Sequence, residues 1–286
     1  MKKKIKIGFL DFWEGFSLSA FVDRHPYLLK KYELIESDHP DFRFISVFGR
    51  RAGEFFVPDD NCINILYTGE NVEPDMDVCD YAISFSLINH PDHYYLPCWV
   101  PRLYQNGMLP SDLQSVNNIR RTKTGMQDQF CNYIYRHRVE FREDFFSKLN
   151  SIKPVMSPGD SCRNMNSIGN TVAEKIDFQR NFKFSIAIEN ACCPGYITEK
   201  IVEAYMAGTV PVYMGAPDIC DSFNSESFIH ITDVEKYEDA IDKIIHLDQN
   251  TNDYLSVRNS LIYKNDKVPQ YAIEDSIMSF FERIFD

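Results

Sequence analysis

Short apolar runs, each bounded by polar residues, recur along the first part of the chain. They predict buried strands at Ile5–Leu10, Phe44–Phe48, Ile63–Tyr67 and Tyr81–Phe85. Between the first two runs lies Ala20–Tyr32, which has helical character. Near-continuous apolar strands that alternate with helices are typical of a parallel sheet in an α/β protein.

The same pattern restarts in the second half of the chain. Cys131–Tyr135 predicts a strand, and Val139–Leu149 alternates charged and aromatic residues at the spacing of an amphipathic helix. Further strands are predicted at Val155, Phe184–Ile188 and Val210–Met214, and helices at Ile197–Met206, Val234–Leu247, Asn252–Lys264 and Ile273–Phe285. A length of 286 residues suits two domains. We therefore predict an α/β fold with two Rossmann-like domains, 1–150 and 151–286, that face a cleft.

The composition narrows the function classes. The formal net charge of −12 argues against nucleic acid as a partner, because binding a phosphate backbone depends on clustered Lys and Arg. The eight cysteines are irregularly spaced and contain no CxxC pair, which favours reduced thiols over disulfides or a structural zinc site. The N-terminal apolar run is interrupted by Lys6 and ends at Asp11, so it is too short for a signal peptide. No other run approaches the ~20 apolar residues of a transmembrane helix.

The segment Phe182–Gly215 carries the most informative chemistry. It places the polar pair Glu189-Asn190 directly after a buried strand, where ligands of open α/β sheets bind. Tyr196-Ile-Thr-Glu-Lys200 then begins a helix, and the free N–H groups and dipole of a helix start favour a phosphate. A lysine in the first turn is unfavourable towards the dipole unless an anion binds beside it. Thr198 as a cap and Glu199 as a first-turn acid are also explained without any ligand.

Two loops and a histidine pair are weaker candidates. Tyr67-Thr-Gly-Glu70-Asn71 follows an apolar strand and presents a carboxylate, and the turn-rich loop Ser157–Asn164 carries Arg163, whose guanidinium suits bidentate contact with a diphosphate. His90 and His93 flank a Pro-Asp pair; without a carboxylate cluster nearby, we interpret them as part of a solvated or substrate-side loop rather than a metal site. No GxGxxG, Walker or DxD motif is present, so nothing predicts a dinucleotide or metal-chelating nucleotide site.

The blocks of Phe182–Gly215 together resemble the donor-binding motif of the α-1,3-fucosyltransferases. They are Glu189-Asn190, Tyr196-Ile-Thr-Glu-Lys200 and Val210-Pro-Val-Tyr-Met-Gly215. Tyr67-Thr-Gly-Glu-Asn71, followed by Pro74 and Asp80-Tyr-Ala-Ile-Ser-Phe85, resembles the N-terminal motif of the bacterial members. The order and spacing of the blocks match from about Ile5 to His246.

The resemblance implies an inverting GT-B enzyme that moves L-fucose from GDP-fucose to N-acetylglucosamine in a lactosamine-type acceptor. The product would carry an α-1,3 linkage, as in Lewis x. Residues 1–150 would bind the acceptor and residues 151–286 GDP-fucose. No cofactor and no essential metal is expected, since cations of the chain would neutralise the departing diphosphate.

Site roles follow from the same resemblance, position by position. Glu70 matches the general base for the acceptor hydroxyl. Arg163 and Lys200 match the cations that bind the diphosphate and stabilise it as it leaves. The remaining implied contacts are Glu189, Asn190, Tyr196 and Glu199 to the donor, and Trp13 to the acceptor.

The sequence departs from the family at its C-terminal end. Many bacterial relatives carry heptad repeats and a basic amphipathic tail there, whereas this sequence ends at Asp286 with neither. We therefore expect a cytoplasmic protein that forms a weak homodimer at most, with the inner face of the membrane as the alternative location. The role of Cys192 and Cys193, in a loop that varies among relatives, is not assigned.

Two other functions stay open at this point. One is a GT-B transferase that uses another sugar nucleotide or acceptor, and the other is a nucleotide-sugar-binding protein without catalysis. A carboxylate at Glu70 favours an active enzyme. The acceptor and the choice between α-1,3 and α-1,4 linkage depend on loop shapes that the sequence does not define.

Overall fold

The computed structural model describes residues 2–49, 58–122 and 127–286, which form two compact units. Unit 1 consists of three segments, Met1–Pro110, Pro194–Thr198 and Pro269–Asp286. Unit 2 consists of Ser111–Cys193 and Glu199–Val268. The chain therefore passes between the units four times, twice within the segment Phe182–Gly215.

The strands and helices of the described residues alternate as an α/β protein requires. In chain order they are β1 (Lys3–Leu10), α1 (Leu18–Arg24), β2 (Tyr32–Glu36), β3 (Phe42–Ile45), β4 (Ile63–Tyr67), β5 (Tyr81–Ser84), β6 (His93–Tyr95), α2 (Trp99–Gln105), α3 (Asp112–Thr122), β7 (Gln129–Asn132), α4 (Glu140–Ile152), β8 (Val155–Met156), α5 (Val172–Gln179), β9 (Phe182–Ile188), α6 (Glu199–Ala207), β10 (Val210–Met214), β11 (Ile229–His230), α7 (Tyr237–Gln249), α8 (Thr251–Asn259) and α9 (Glu274–Phe285).

Unit 1 is built on a parallel sheet with the strand order β2-β1-β3-β4-β5-β6. The apolar strand β1 pairs with both β2 and β3, and its Ile5 and Ile7 are fully buried. The last helix of the chain, α9, completes this core. The Phe285 ring lies 5.2 Å from that of Tyr32 and 4.9 Å from that of Phe42, in edge-to-face contacts that suit aromatic rings.

Unit 2 is built on a second parallel sheet with the order β11-β10-β9-β7-β8. The central strand β9 pairs with β7 and β10, and it is buried on both faces except at Lys183. Buried polar side chains fix the pairing. Asn132 at the end of β7 donates to the Phe184 carbonyl at 3.0 Å and to Ser185 Oγ at 2.8 Å. The carboxyl end of β7 thereby lies beside Ser185, three residues before β9 ends at Ile188.

The prediction of parallel sheets is confirmed, and the compact units divide the chain at other points than the predicted boundary at residue 150. The chain first leaves unit 1 at Pro110, because β7 belongs to the second sheet and α4 lies in unit 2, although both begin before residue 150. The final helix, predicted as part of the second domain, belongs to unit 1. Apolar periodicity predicts elements, but it does not show which sheet an element joins.

Several predicted elements differ in their ends. The expected helix Ala20–Tyr32 ends at Arg24, since Pro26 interrupts it, and Tyr32 begins the unpredicted strand β2. The strand expected at Phe44–Phe48 ends at Ile45. His93, interpreted as a loop residue, is a buried member of β6 whose Nε2 lies 2.8 Å from Ser84 Oγ.

All eight cysteine side chains, which lie within the described residues, are free thiols. None of the helices in the described ranges is long and apolar enough to cross a membrane.

A buried histidine makes the stability of unit 1 dependent on pH. His25 is fully buried, with Nδ1 2.5 Å from the Tyr27 hydroxyl and Nε2 2.9 Å from the Tyr67 hydroxyl. Burial, helped by the charge of Arg24, lowers the pKa of His25 from 6.5 to about 3. The unfolded chain therefore takes up a proton below pH 6.5 that the folded chain does not, so stability falls as the pH decreases through this window.

We expect His25→Gln to remove this pH dependence. Between pH 7 and pH 5, the free energy of unfolding of the parent should fall by about 2 kcal/mol more than that of the variant. Urea titrations of both proteins at the two pH values measure the difference. Equal losses in both would show that His25 accepts a proton in the folded state.

Candidate active site

The carboxyl end of β9 holds a buried ion pair. Glu189 follows β9 directly and has no solvent exposure, and its Oε2 lies 3.0 Å from Lys200 Nζ in the first turn of α6. Glu199 Oε1 is 3.4 Å from the same ammonium group. A Cβ atom at Gly215 would lie 2.5 Å from Glu189 Cγ, so only glycine allows the chain after β10 to pass this close.

Lys200 keeps its charge in this setting. Burial by itself lowers the pKa of Lys200, but the negative charges of Glu189 and Glu199 outweigh burial and hold this pKa well above its usual value. The pair therefore places a permanent cation at the start of α6. A helix start and a cation together favour an anionic group of a ligand.

A second cation lies nearby, on α4. Arg142 is 2% exposed, and its guanidinium carbon lies 4.0 Å from the centre of the Tyr135 ring. Its Nε and Nη2 atoms are buried and have no hydrogen-bond partner among the described residues. An arginine buried without a carboxylate is costly, so this side chain is poised for an anion that the protein itself does not supply.

Tyr135 links this arginine to the strand that carries Glu189. Its hydroxyl accepts a hydrogen bond from the Ile188 N–H at 2.7 Å and donates one to the Ile186 carbonyl at 2.8 Å. Burial raises the pKa of Tyr135, and the charges of Arg142 and of Lys200 oppose that rise. Arg142 and Lys200 therefore both lie within electrostatic range of the Tyr135 hydroxyl, near the carboxyl ends of the neighbouring strands β7 and β9.

Arg163, the arginine predicted for the diphosphate, lies in a different environment. Its side chain is about half exposed, its Nη2 forms an ion pair with Asp160, and its Nε donates to the Gly159 carbonyl at 3.2 Å. Arg163 is therefore open to solvent with partners in its own loop, whereas Arg142 is buried with unpaired donors. The geometry favours Arg142 over Arg163 as the anion-binding arginine.

The sequence contained a signal for Arg142 that the interpretation of α4 missed. The helix is predicted as amphipathic from its alternation of charged and aromatic residues. Arg142, however, lies at helical spacing with Phe145, Phe146 and Leu149, and all four side chains are buried. A charged residue on the apolar face of a helix is the pattern that identifies it.

The loop between Glu189 and Lys200 is divided between the units. Asn190 and Cys192 are exposed, and burial, with a contribution from Glu189, raises the pKa of Cys192. Pro194–Thr198 belongs to unit 1. There Tyr196 is buried with its ring edge-on to Phe85 at 5.1 Å, so its predicted contact with the donor stays a prediction.

Gly195 determines how this loop packs in unit 1. Its φ of +78° suits glycine, and a Cβ atom there would lie 2.4 Å from the Phe85 carbonyl oxygen. The Tyr95 hydroxyl donates to the Gly195 carbonyl at 3.0 Å. The residues immediately before Glu199 and Lys200 are therefore held by β5 and β6 of unit 1.

Glu70 and Trp13 lie at the carboxyl edge of the sheet in unit 1, where β4 and β1 end. Glu70 is exposed in a tight turn, where its N–H donates to Thr68 Oγ1 at 3.1 Å and its carbonyl accepts from the Val72 N–H at 2.7 Å. Trp13 follows β1 and is 37% exposed. Since the carboxyl ends of parallel strands lie at the same edge of a sheet, the predicted base Glu70 and the predicted acceptor contact Trp13 lie at the same edge.

The described ranges, which exclude 50–57 and 123–126, contain no group of three or more His, Cys, Asp or Glu side chains that could hold a metal ion. The expectation that no metal is essential stays a prediction.

Two family models match the chain. The model of the alpha-(1,3)-fucosyltransferase FucT N-terminal domain matches residues 7–102, and that of the C-terminal part of glycosyltransferase family 10 (fucosyltransferase) matches residues 122–260. The gap between them contains the point where the chain leaves unit 1.

Relatives and solved structures point the same way. Alpha-(1,3)-fucosyltransferase FucT of Helicobacter pylori is 27% identical over 91% of this chain, which spans 60% of that relative's length. A putative fucosyltransferase of Acanthamoeba polyphaga mimivirus is 25% identical over 81% of this chain and 39% of its own. A crystal structure of alpha1,3-fucosyltransferase with GDP-fucose matches with a TM-score of 0.81 at 22% identity, over 100% of this chain and 91% of that one. This likeness confirms the predicted GT-B fold class.

The unbalanced charge of Arg142 leads to a prediction on binding and stability. We expect inorganic pyrophosphate to raise the melting temperature of the parent, and Arg142→Gln to weaken pyrophosphate binding roughly tenfold or more, the value of one or two hydrogen bonds to a charged group. Without a ligand, the variant should be at least as stable as the parent, because it no longer buries an unpaired charge. Calorimetric titration and thermal melts measure the two effects.

Arg163→Gln is the matched control. It should change pyrophosphate affinity by less than about twofold, since an exposed ion pair contributes little. Loss of binding in Arg163→Gln together with retention in Arg142→Gln would reverse the assignment of the two arginines.

Proposed function

Because the chain belongs to the glycosyltransferase family 10 fucosyltransferases, we propose that it transfers L-fucose from GDP-fucose to a hydroxyl of N-acetylglucosamine in a lactosamine-type oligosaccharide, forming an α-1,3 linkage with inversion. The observation that carries this proposal is the pair of cations, Arg142 and Lys200, near the carboxyl ends of the neighbouring strands β7 and β9. A nucleotide diphosphate is the ligand that such a pair fits.

The cations act on the leaving group. As the bond between the anomeric carbon and the diphosphate oxygen breaks, negative charge grows on that oxygen. Lys200 is already positioned by Glu189, and Arg142 is already desolvated, so neither has to reorganise when this charge appears. The chain thus supplies the charge neutralisation for departure with its own side chains.

Glu70 acts on the acceptor. Its carboxylate takes the proton of the acceptor hydroxyl as that oxygen attacks the anomeric carbon. Attack and departure occur on opposite sides of the carbon in one displacement, so the configuration inverts. Among the other predicted residues, Asn190, Tyr196 and Glu199 contact the donor, and Trp13 contacts the acceptor. The buried Glu189 acts indirectly, because its ion pair positions Lys200.

A donor screen tests the proposal directly. GDP release should be fastest with GDP-fucose, and it should require an acceptor that contains N-acetyllactosamine. Calorimetry with GDP-fucose gives the independent measurement. No binding of GDP-fucose by the parent protein would contradict the proposed function, whereas release from another sugar nucleotide would identify a different GT-B transferase.

Glu70→Gln should separate transfer from donor binding. The amide keeps the size of the side chain but cannot accept the proton, so we expect kcat to fall by about 10²–10⁴-fold with little change in the affinity for GDP-fucose. Glu73→Gln, which removes an exposed carboxylate three residues along the same loop, should leave kcat unchanged. Equal rates for Glu70→Gln and the parent would exclude Glu70 as the base.

Tyr95 should affect the KM for GDP-fucose through its hydrogen bond to the loop that contains Gly195. Tyr95→Phe removes the hydrogen bond to Gly195 just before Glu199 and Lys200, so we expect the KM for GDP-fucose to rise roughly fivefold, the value of one such bond. Tyr94→Phe is the matched control, because Tyr94 donates one hydrogen bond at 2.9 Å to the carbonyl of Tyr271, which lies outside this loop. Similar KM values in both variants would assign Tyr95 to stability alone.

A further inference from the structure

His93 fastens the loop that follows β5. Its Nε2 lies 2.8 Å from Oγ of Ser84, the last residue of β5, and both side chains are buried. Ser84 Oγ also accepts a hydrogen bond from the Ser86 N–H at 3.2 Å. Two hydrogen bonds in series therefore run from β6, through the end of β5, into the loop.

The imidazole of His93 is neutral in this position. Burial lowers the pKa of His93; a hydrogen bond to the backbone of Ile88 opposes this effect, and the charge of His90 adds to it. A neutral ring has one donor and one acceptor nitrogen. The donor serves the backbone of Ile88, which assigns Nε2 as the acceptor of the Ser84 O–H. The ring thus holds the loop at Ile88 directly and at Ser86 through Ser84.

Two side chains of the loop itself contribute little to holding it. Ser86 is 2% exposed, and its Oγ has no hydrogen-bond partner among the described residues. Leu87 is 56% exposed, so it buries little apolar area. The conformation of residues 86–88 therefore depends mainly on the two points that His93 holds.

The segment Pro194–Thr198 rests on this loop. A Cβ atom at Gly195 would lie 2.4 Å from the Phe85 carbonyl oxygen and 3.1 Å from Leu87 Cγ, so the main chain of the segment passes directly over the loop. The Tyr196 ring meets that of Phe85 edge-on at 5.1 Å. The segment belongs to unit 1, as the loop does, and leads directly into the start of α6.

We propose that His93 is a positioning residue of the donor site. Its hydrogen bonds fix the loop after β5, the loop supports Pro194–Thr198, and that segment sets the path of the chain into Lys200. This role rests on the proposed function in one respect, namely that the donor is GDP-fucose. It adds a residue that acts on donor affinity without touching either substrate.

Removal of either side chain of the pair should weaken donor binding. In His93→Leu and in Ser84→Ala, we expect the dissociation constant and the KM for GDP-fucose to rise roughly fivefold or more, as the loss of a neutral hydrogen bond would give. The double variant should bind no more weakly than His93→Leu alone, because the two groups act in one chain. In all three, kcat should stay within about twofold, since neither side chain contacts the reacting atoms. Calorimetry and steady-state kinetics measure these constants.

Ser86→Ala is the matched control. It removes a buried hydroxyl of the same loop that has no partner among the described residues, and it keeps the N–H that bonds to Ser84. Both constants should therefore stay within about twofold of those of the parent. His93→Gln is the conservative variant, and because its amide offers a donor and an acceptor, it should restore most of the affinity that His93→Leu loses. Ser84→Ala carries the test if His93→Leu does not fold.

A merely structural role would give a different pattern. Partial unfolding lowers the fraction of active enzyme, so kcat and the melting temperature would fall while the KM and the dissociation constant stayed unchanged. That pattern, or equal donor affinity in the parent, His93→Leu and Ser84→Ala, would overturn the role of His93. If the parent did not bind GDP-fucose at all, the proposed function itself would fail, and this role would fail with it.

Discussion

A carboxylate with no access to water, Glu189 at the end of β9, is the constraint on which the site depends. Such a group is tolerated only with a cation in contact, and Lys200 meets this need from the first turn of α6. The requirement fixes the path of the chain on both sides, since the loop after β9 must return to within 3.0 Å of the strand end and the residue after β10 must lack a side chain. The ion pair of Glu189 and Lys200 thus fixes the position of the end of β9 relative to the start of α6. This arrangement suits the role proposed for Lys200 with the diphosphate, because a cation held by the protein does not have to be immobilised by the ligand.

The parts of the site that could be predicted are those whose chemistry is local in sequence. Glu189, Asn190 and Lys200 follow from a strand end and a helix start that lie eleven residues apart, and the structure places Glu189 and Lys200 in contact. The burial of Arg142 can be predicted from its spacing with apolar residues of α4, but its contact with Tyr135, which follows β7, cannot be predicted from local sequence. The role predicted for Arg163 stays a prediction. This loop arginine has the expected position after a strand, and the structure shows it in an exposed ion pair with Asp160.

The fold shows the same division between local and distant information. The strands Ile63–Tyr67 and Val210–Met214 were predicted to the residue, because each is a buried apolar run with polar neighbours. The assignment of elements to units failed where hydrogen bonding between distant strands decides it. β7 lies before residue 150 but pairs with β9, and α9 follows unit 2 in sequence but packs its phenylalanines on β2 and β3. Burial of Tyr196 is a tertiary effect of the same kind, since a motif that is continuous in sequence is divided between two cores.

The discontinuity of unit 1 affects how the protein is made. A ribosome delivers the six strands of the first sheet early, but the helix that covers Tyr32 and Phe42 emerges only after all of unit 2. Unit 2 has all its residues once Val268 is available, eighteen residues before Asp286. The unit that is synthesised first is therefore the one that finishes folding last, opposite to the usual N-terminal-first order. During that interval the rings of Tyr32 and Phe42 lack their contact with α9, so part of the core of unit 1 stays incomplete.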